Sequence, residues 1–358
     1  MSITARPGTR NCRDFDMDDM RSIVQQIEAA GTEGAQVCPQ GGGSKAFLRS
    51  SEDARIVSTS AHTGTLHYYP DELVIRVRAG TRLTDLQEEV AHQGQFLPFD
   101  PPHLGVESTV GGVVAAGLGG SARPFWGGIR DYVLGVKVVL PTGQVAVFGG
   151  DVMKNVAGYD VSRLMVGSMG SLGLILELAL KVLPAPETTR VFTLPMSPAD
   201  AIRTIQLHRG RPGLSAAVFF KNVFYLRFSG THQQLAQAEN RLAGAINTDS
   251  DEVIRKIQNL DFPVQHHLWR WDASQAEPIE CSELIAFDWG GRLRWLDSHL
   301  APSIATSSGV LTCFKPGQGE LPARSMRTDT VGWIQERLKF ALDPQSRFIS
   351  YPSFRVST

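Results

Sequence analysis

Long apolar runs are absent from this chain of 358 residues. No stretch approaches the roughly eighteen consecutive apolar residues that a membrane span needs, and residues 1–20 lack the apolar segment of a signal peptide. We therefore expect a cytoplasmic protein without a transmembrane segment, so that any membrane association would come through partner subunits.

An excess of charge of one sign is also absent. The chain has 35 Lys and Arg residues against 36 Asp and Glu residues, which gives a net charge of −1. A chain balanced in this way has no long-range field to attract a polyanion. We therefore do not expect a nucleic acid or an acidic membrane surface as the partner.

Clusters of metal-binding side chains are absent as well. The cysteines stand far apart with no C-x-x-C pair, which argues against a disulfide framework, a zinc site or an iron–sulfur cluster within this chain; they are Cys12, Cys38, Cys281 and Cys313. An iron–sulfur centre would therefore belong to a partner. The only histidine pair is His266-His267, and because neighbouring side chains point in different directions we expect a surface pair and no metal site.

The patterns that are present predict two domains of mixed helix and strand. Apolar residues at helical spacing predict helices over 18–30 and 84–93, alternation predicts strands over 36–39 and 72–80, and a strongly apolar run predicts a strand over 173–182. Residues 132–140 and 145–148 are predicted to form a hairpin around Pro141-Thr142-Gly143. Beyond Pro184 and Pro186 the signals begin afresh, with helices over 197–209 and 232–245 and strands over 215–221 and 223–228. We predict an α+β fold in which a domain of residues 1–186 precedes a smaller α+β sandwich domain of residues 187–358.

The densest glycine run follows the first predicted short strand, in PQGGGSKA over residues 39–46. Glycine takes positive φ without steric cost, so consecutive N–H groups can turn inward and bind an anion such as a pyrophosphate, while Ser44 adds a hydroxyl and Lys45 a charge. An ordinary turn between a strand and a loop explains the same residues. A Walker loop does not, because Lys45 follows a serine and precedes an alanine.

Two further passages rich in small residues lie in the same predicted domain, over 108–121 and 167–175. Side chains this small allow close backbone approach to a flat or charged ligand, although tight internal packing is an alternative. Residues 117–122 also match G-x-G-x-x-A, but we expect Arg123-Pro124 to bar the helix that a Rossmann site requires. We therefore infer one extended ligand in contact with all three passages.

Several segments of the chain carry a family resemblance. PQGGGSK, FDPP (residues 99–102), STVGGVVAAGLGG, IRDYVLGVKVVLPTG and MKNVAGYDVSRLMVGSMGSLGLILE together resemble the FAD-binding domain of the vanillyl-alcohol-oxidase or PCMH type, over residues 10–186. The segments VMKNVAGYD, RLMVGS and LIAFDWGGRLRWL extend the likeness to nearly the full chain, which resembles the FAD-binding E subunits of bacterial glycolate oxidase.

The resemblance implies a two-lobed FAD-binding domain with FAD as its cofactor. Because Ser44-Lys45 stands where relatives with covalent flavin carry a histidine, it implies noncovalent binding. The residues that it implies around the cofactor are Gln40, Gly41, Gly42, Gly43, Ser44 and Lys45 in the first passage; Asp100, Pro101 and Pro102; Ser108, Thr109, Gly111, Gly112, Ala115, Gly119, Gly120 and Ser121 in the second; and Gly173 and Ile175 in the third.

The resemblance also implies a reaction and partners. The chain lacks the H-x-G-D-G-N-x-H-like segment of the catalytic hydroxy-acid dehydrogenases, so we expect a catalytic FAD subunit to oxidise glycolate to glyoxylate and an iron–sulfur subunit to receive the electrons. A self-sufficient 2-hydroxy acid oxidase or dehydrogenase and a scaffold with a decayed flavin site are alternatives. In the second domain, Trp269, Arg270, Trp271 and residues 288–295 suggest core tryptophans with solvated arginines, or a carboxylate site.

Overall fold

The computed structural model describes residues 12–48, 53–150, 160–242, 245–248, 250–277, 281–302, 309–317, 330–350 and 355–356. The MKNVAGY part of the family motif, residues 153–159, lies outside the described residues.

The first lobe carries one antiparallel sheet, in the strand order β3-β4-β8-β6-β7, and two small two-stranded sheets, β1-β2 and β5-β9. Its helices and strands are α1 (Cys12–Thr32), β1 (Val37–Gln40), β2 (Arg55–Ser58), β3 (Thr65–Tyr69), β4 (Val74–Arg78), α2 (Leu83–Ala91), β5 (Gln95–Phe96), α3 (Val110–Ala116), α4 (Arg123–Trp126), β6 (Val133–Val139), β7 (Val145–Gly149), α5 (Val161–Leu164), β8 (Leu174–Lys181) and β9 (Leu183–Pro184).

The alternation in β4 explains how this sheet forms. Ile75 and Val77 are buried in the core beneath α2 and α3, whereas Arg76 lies on the opposite face. There the carboxylate of Glu177 accepts from Arg76 at 3.3 Å and from Lys137 of β6 at 2.8 Å. One face of the sheet is therefore apolar, and the other is joined across three strands by charged side chains.

The predicted hairpin of β6 and β7 is confirmed. The two strands pair in antiparallel register, from Gly135 opposite Gly149 to Val139 opposite Val145. The turn between them is tight, since the Gly143 N–H donates to the Leu140 carbonyl at 2.9 Å. Gly143 has a φ of 86°, which explains why glycine occupies the turn.

The second lobe is built on a larger antiparallel sheet, in the order β13-β10-β12-β11-β15-β16-β14-β17-β18. Its helices and strands are β10 (Thr188–Pro195), α6 (Pro198–His208), β11 (Leu214–Phe220), β12 (Val223–Gly230), α7 (His232–Arg241), β13 (Ile246–Thr248), α8 (Glu252–Gln258), β14 (His267–Ala273), β15 (Leu284–Asp288), β16 (Leu293–Ser298), β17 (Gly309–Lys315), α9 (Thr330–Leu342) and β18 (Arg355–Val356). The predicted α+β class is confirmed.

Side-chain caps set where the helices of this lobe begin. The Ser197 hydroxyl accepts from the Asp200 N–H at 3.1 Å, and Thr231 and Gln234 form a reciprocal capping box. Helices α6 and α7 cover one face of the sheet over a core in which the Phe219 and Phe287 rings stack. The opposite face of the sheet packs with α8 on apolar residues of the first lobe.

Polar contacts fix the two lobes against each other. Arg227 of β12 pairs with Asp100 at 2.8 Å, and the Ser121 hydroxyl donates to Asp288 at 2.5 Å. The Trp289 indole N–H donates to the Gly120 carbonyl at 2.9 Å. The second lobe therefore contacts the first lobe at residues 99–104 and 118–122.

Helix α9 and the tail that follows it, up to Ile349, return to the first lobe. Leu338 and Leu342 of α9 pack against its core, and the Lys339 ammonium donates to the Ser171 carbonyl at 2.7 Å. Beyond the helix, the Ile349 N–H donates to the Val37 carbonyl at 2.9 Å. The chain leaves the sheets of the first lobe at residue 184 and enters the sheet of the second lobe at residue 188, beside the predicted domain boundary. Helix α9 and its tail belong to the second part of the sequence but pack on the first lobe.

Three expectations about individual residues are wrong. Arg123–Trp126 is a short helix, because a proline in the first turn costs no hydrogen bond. His267 is not a surface residue: it is 1% exposed, and its Nδ1 accepts from the Gly317 N–H at 3.0 Å. Arg294 is not solvated either, since it is buried and donates to the Gly291 carbonyl at 2.8 Å.

The expectations of core tryptophans and of a solvated Arg292 agree with the structure. Trp269, Trp271 and Trp295 are core residues, and Arg292 is exposed. Within the described ranges, no three His, Cys, Asp or Glu side chains are placed to share a metal ion. In the same ranges, no helix combines the length and the apolar character that a membrane crossing requires.

Asp288 makes the contact between the lobes sensitive to pH. Burial raises the pKa of this carboxyl to about 6, against the opposing effect of its hydrogen bonds from Ser121 and the Trp289 N–H. Because the folded-state pKa lies above the ordinary value, the ionised form is disfavoured in the fold. The group therefore stabilises the fold most at low pH and loses that contribution as the pH rises from about 4 to about 6.

We predict that Asp288→Asn removes this loss. The free energy of unfolding of the variant, relative to the wild type, should rise by about 3 kcal/mol between about pH 4 and pH 7, because a shift of one pKa unit corresponds to about 1.4 kcal/mol. Urea unfolding of both proteins across that range measures the difference. A difference that does not change with pH would contradict the assignment.

Candidate functional site

The first glycine passage leaves the small sheet formed by β1 and β2. These strands pair in parallel up to Gln40 and Ser58, and the Thr59 N–H donates to the Gln40 carbonyl at 2.8 Å. The chain then turns, with Gly43 at a φ of 74°, a conformation that glycine adopts without strain. The turn closes where the Ala46 N–H donates to the Gly43 carbonyl at 2.9 Å.

Two glycines of this loop are required by the loop that faces it. A Cβ on Gly41 would lie 2.0 Å from the Thr109 hydroxyl oxygen, and a Cβ on Gly42 would lie 1.5 Å from the Glu107 carbonyl oxygen. Any side chain would therefore separate residues 41–42 from residues 107–109. The glycines allow the first and second passages to approach closely.

This packing leaves the amides of the first loop open. Within the described part of the chain, the N–H groups of residues 41–44 donate no hydrogen bond. The amides that begin α3 differ, because Val110 donates to Thr81, Gly111 to Ala79 and Gly112 to the Thr109 hydroxyl. Donors for an anion are thus available on the first loop and already used at the start of the helix.

Lys45 adds a positive charge beside these amides. Its ammonium donates to the Ser44 hydroxyl at 3.2 Å and to the Ser108 hydroxyl at 3.0 Å, and it has no carboxylate partner among the described residues. Burial without a counter-charge lowers the pKa of Lys45 to about 8. A bound anion would stabilise the protonated form.

The third passage completes a cleft against the other two. The Met169 N–H donates to the Ala115 carbonyl at 2.8 Å, and the Gly167 N–H donates to the Val114 carbonyl at 3.0 Å, which joins this passage to α3. The cleft has an empty volume of about 840 Å³, including its open mouth. Its size and its mostly apolar lining are typical of a cofactor site.

Twelve of the sequence-predicted residues line this cleft together: Gln40, Gly41, Gly42, Gly43, Ser44, Lys45, Thr109, Gly111, Gly112, Ala115, Gly173 and Ile175. Among the described residues that form the wall, Lys45 is the only charged one. Open amides, an ammonium without a counter-charge and a wall without a carboxylate fit the pyrophosphate of a dinucleotide.

The remaining predicted residues lie outside the cleft lining. Ser108 is buried just behind it and reaches it only through Lys45. The others serve the contact between the lobes, where Asp100 pairs with Arg227 and Ser121 with Asp288. Four more predicted residues lie in the same region: the Pro101 carbonyl accepts from Gln258, and Pro102, Gly119 and Gly120 line a small pocket beside it.

Several cleft residues were not predicted from the sequence. Met169 and Gly170 belong to the third passage, whose glycines were the available signal, and Thr59 follows β2 directly. Ile349 comes from the tail beyond α9 and reaches the cleft only because that tail pairs with Val37. No local pattern marks Ile349, since its position depends on a contact between distant parts of the chain.

Comparison with known proteins agrees with this geometry. A family described as an FAD binding domain matches residues 16–149. A variant of Phl p 4, a glucose dehydrogenase, has a similar fold, with a TM-score of 0.65 and 15% identity over 95% of this chain and 89% of that one. Fold and cleft therefore define a protein with an FAD-binding domain, and the predicted cofactor, FAD, is confirmed.

Sequence relatives define the family more narrowly. The glycolate oxidase subunit GlcE of Escherichia coli K12 is 35% identical over 91% of this chain and 95% of its own length. The glycolate oxidase subunit GlcD of Bacillus subtilis 168 is 40% identical over 34% of this chain and 25% of its own length. The chain belongs to the family of the GlcE-type glycolate oxidase subunits, and the predicted class, an FAD-dependent oxidoreductase subunit, is confirmed.

We predict that Gly42→Ala weakens FAD binding at least about tenfold, because the added methyl group must push the first loop away from the Glu107 carbonyl. Fluorescence titration of the flavin measures the dissociation constant. Gly150→Ala is the matched control, since a Cβ there meets nothing within 4 Å. Equal affinities in the two variants would contradict the role of the loop contact.

We also predict that FAD affinity falls about tenfold between pH 7 and pH 9, because the Lys45 ammonium, with its pKa of about 8, loses its proton over that range. Lys45→Met should bind FAD more weakly at pH 7 and lose this dependence. Lys45→Arg stays charged and should also show little dependence. The same pH profile in the methionine variant would exclude Lys45 as its source.

Proposed function

We propose that this chain binds FAD noncovalently in the cleft, with the pyrophosphate on the open amides of residues 41–44 and beside Lys45. The observation that carries this proposal is the set of unpaired donors on a loop without a carboxylate. Bound FAD supplies the capacity to accept two electrons from a substrate C–H bond. The chain's own residues hold and orient the cofactor and exclude water from it.

The remaining predicted residues take a second role in this proposal. The lobes are joined by Asp100, which precedes the second passage, and by Gly119, Gly120 and Ser121 at its end. We propose that these residues shape the cavity into which the cleft opens. The proposed domains are an FAD-binding domain of residues 1–186 and a C-terminal domain of residues 187–358. The change of sheets between residues 184 and 188 supports this division.

We propose the oxidation of glycolate to glyoxylate as the reaction in which this chain takes part. Its relatives support a 2-hydroxy acid as the substrate, since they include glycolate oxidase subunits and a D-lactate dehydrogenase. A hydroxy acid that becomes an oxo acid loses two electrons and two protons. FAD is a cofactor suited to that transfer.

The proposed partners are a catalytic FAD subunit and an iron–sulfur subunit of the same complex. GlcE and GlcD are both named as subunits of glycolate oxidases, which supports an assembly of several chains. The four cysteines of this chain lie far apart in sequence, so a cluster that receives the electrons would belong to another subunit. Any association with a membrane would also come through these partners.

A second candidate function is oxidation of a 2-hydroxy acid by this chain alone. It is favoured by a second cavity, next to the FAD cleft, that carries arginine side chains able to bind a carboxylate. The two candidates differ in which protein reduces the flavin.

We predict that the purified chain shows the visible absorption spectrum of bound flavin, and that acid precipitation releases the flavin because no covalent bond holds it. In the assembled complex without oxygen, glycolate should bleach this chain's flavin, whereas acetate, which has no hydroxyl group, should not. Bleaching of the isolated chain would favour the second candidate. A folded but colourless chain, or a flavin that stays oxidised in the complex, would contradict the proposed function.

A further inference from the structure

A second cavity, the interlobe chamber, continues from the FAD cleft. Leu48, Ala116 and Met169 line both spaces. The chamber has an empty volume of about 1640 Å³, including open space, and lies between residues 116–119 and 128–131 of the first lobe and strands β14 and β17 of the second. A ligand in it would therefore lie next to whatever fills the cleft.

The charged side chains of this chamber do not cancel. Among the described residues, its charged lining consists of Arg123, Arg130 and Arg270 and of Asp131 and Asp272, so three positive and two negative charges leave one positive charge. The acids are engaged, since Asp131 accepts from the Gly128 N–H at 2.8 Å and Asp272 accepts from Arg270 at 2.8 Å. The excess charge suits a monoanion.

Two of the arginines share one aromatic ring. The guanidinium carbon of Arg123 lies 4.6 Å from the centre of the Trp289 ring, and that of Arg270 lies 5.5 Å from it. The indole N–H of Trp289 donates a hydrogen bond to the Gly120 carbonyl, which fixes the position of the ring. The backbone of Trp289 is left-handed, with a φ of 53°. Such backbone strain often accompanies functional sites.

Neither guanidinium is fully paired. Arg123 makes no ion pair within the described ranges, and Arg270 has a buried Nε without a hydrogen-bond partner. Desolvation lowers the pKa of Arg123 and the charge of Arg270 adds to this effect, whereas the carboxylates of Asp272 and Asp131 act in the opposite direction. An anion that bridged the two guanidinium groups would offset the repulsion between them and would accept from the buried Nε of Arg270.

We infer that Arg123 and Arg270, set against the Trp289 indole, bind the carboxylate of a small 2-hydroxy monocarboxylic acid. This inference rests on the second candidate function proposed above, and it names the residues of this chain that would bind the acid. A carboxylate matches the planar fork of a guanidinium. The single excess charge of the chamber favours a monocarboxylate over a phosphate dianion, and Leu118 and Phe314 offer apolar contact to the rest of the acid.

The test uses 2-hydroxyisobutyrate, a 2-hydroxy acid that has no hydrogen on C2 and so cannot be oxidised there. Ligand-observed NMR on the FAD-loaded chain measures its dissociation constant. Arg270→Gln and Arg123→Gln should each weaken binding at least about tenfold, because each loses a charge-assisted contact. Arg292→Gln is the matched control, since Arg292 is exposed, as Arg123 is, but does not line the chamber.

Saturable binding that both chamber variants weaken and the control preserves would support the inference. No saturable binding, equal binding in all the variants, an equal loss in Arg292→Gln, or inorganic phosphate binding more tightly than the acid would overturn it. Arg270→Lys, which keeps the charge without the fork, carries the test if Arg270→Gln does not fold. Flavin absorbance and reduction are measured in parallel, so a failure of acid binding with intact flavin chemistry refutes the inference alone.

Discussion

The close approach of residues 41–42 to residues 107–109 is the constraint on which the site depends. It requires glycine at both positions of the first loop, because a side chain at either would overlap the second passage. The same contact places the Lys45 ammonium 3.0 Å from the Ser108 hydroxyl, beside the unpaired amides of residues 41–44. This single contact between two loops thus shapes the cleft and places the Lys45 ammonium beside the unpaired amides.

The second lobe extends the cavity that begins as the cleft of the first lobe. Its sheet packs on the passages that follow the cleft, and the bonds of Asp100, Gly120 and Ser121 hold it there. The interlobe chamber is formed by that docking, since its arginines come from both lobes. The tail beyond α9 adds Ile349 to the wall of the cleft. The cofactor would therefore bind in the cleft and the acid in the adjoining interlobe chamber, which are two connected cavities with different walls.

Much of the fold and of the cleft could be predicted from local sequence patterns, whereas the rest depended on contacts between distant residues. Alternation identified β4, a strongly apolar run identified β8, and dense glycines marked the three passages that meet at the cleft, because these patterns and glycine's freedom at a turn are properties of short segments. Ser121 belongs to a glycine-rich passage but bonds to the second lobe, and nothing nearby in sequence shows that partner. Arg294 and His267 resemble surface residues by type and are buried because the fold brings carbonyl and amide partners to them.

The central claim is that the first loop, and not the start of α3, holds the pyrophosphate. Amide hydrogen exchange with and without FAD tests it most directly. We expect FAD to protect the amides of residues 41–44, which are unpaired in the fold, and to change those of residues 110–112 little, because these are already bonded. New protection confined to residues 110–112, with none at 41–44, would contradict the account.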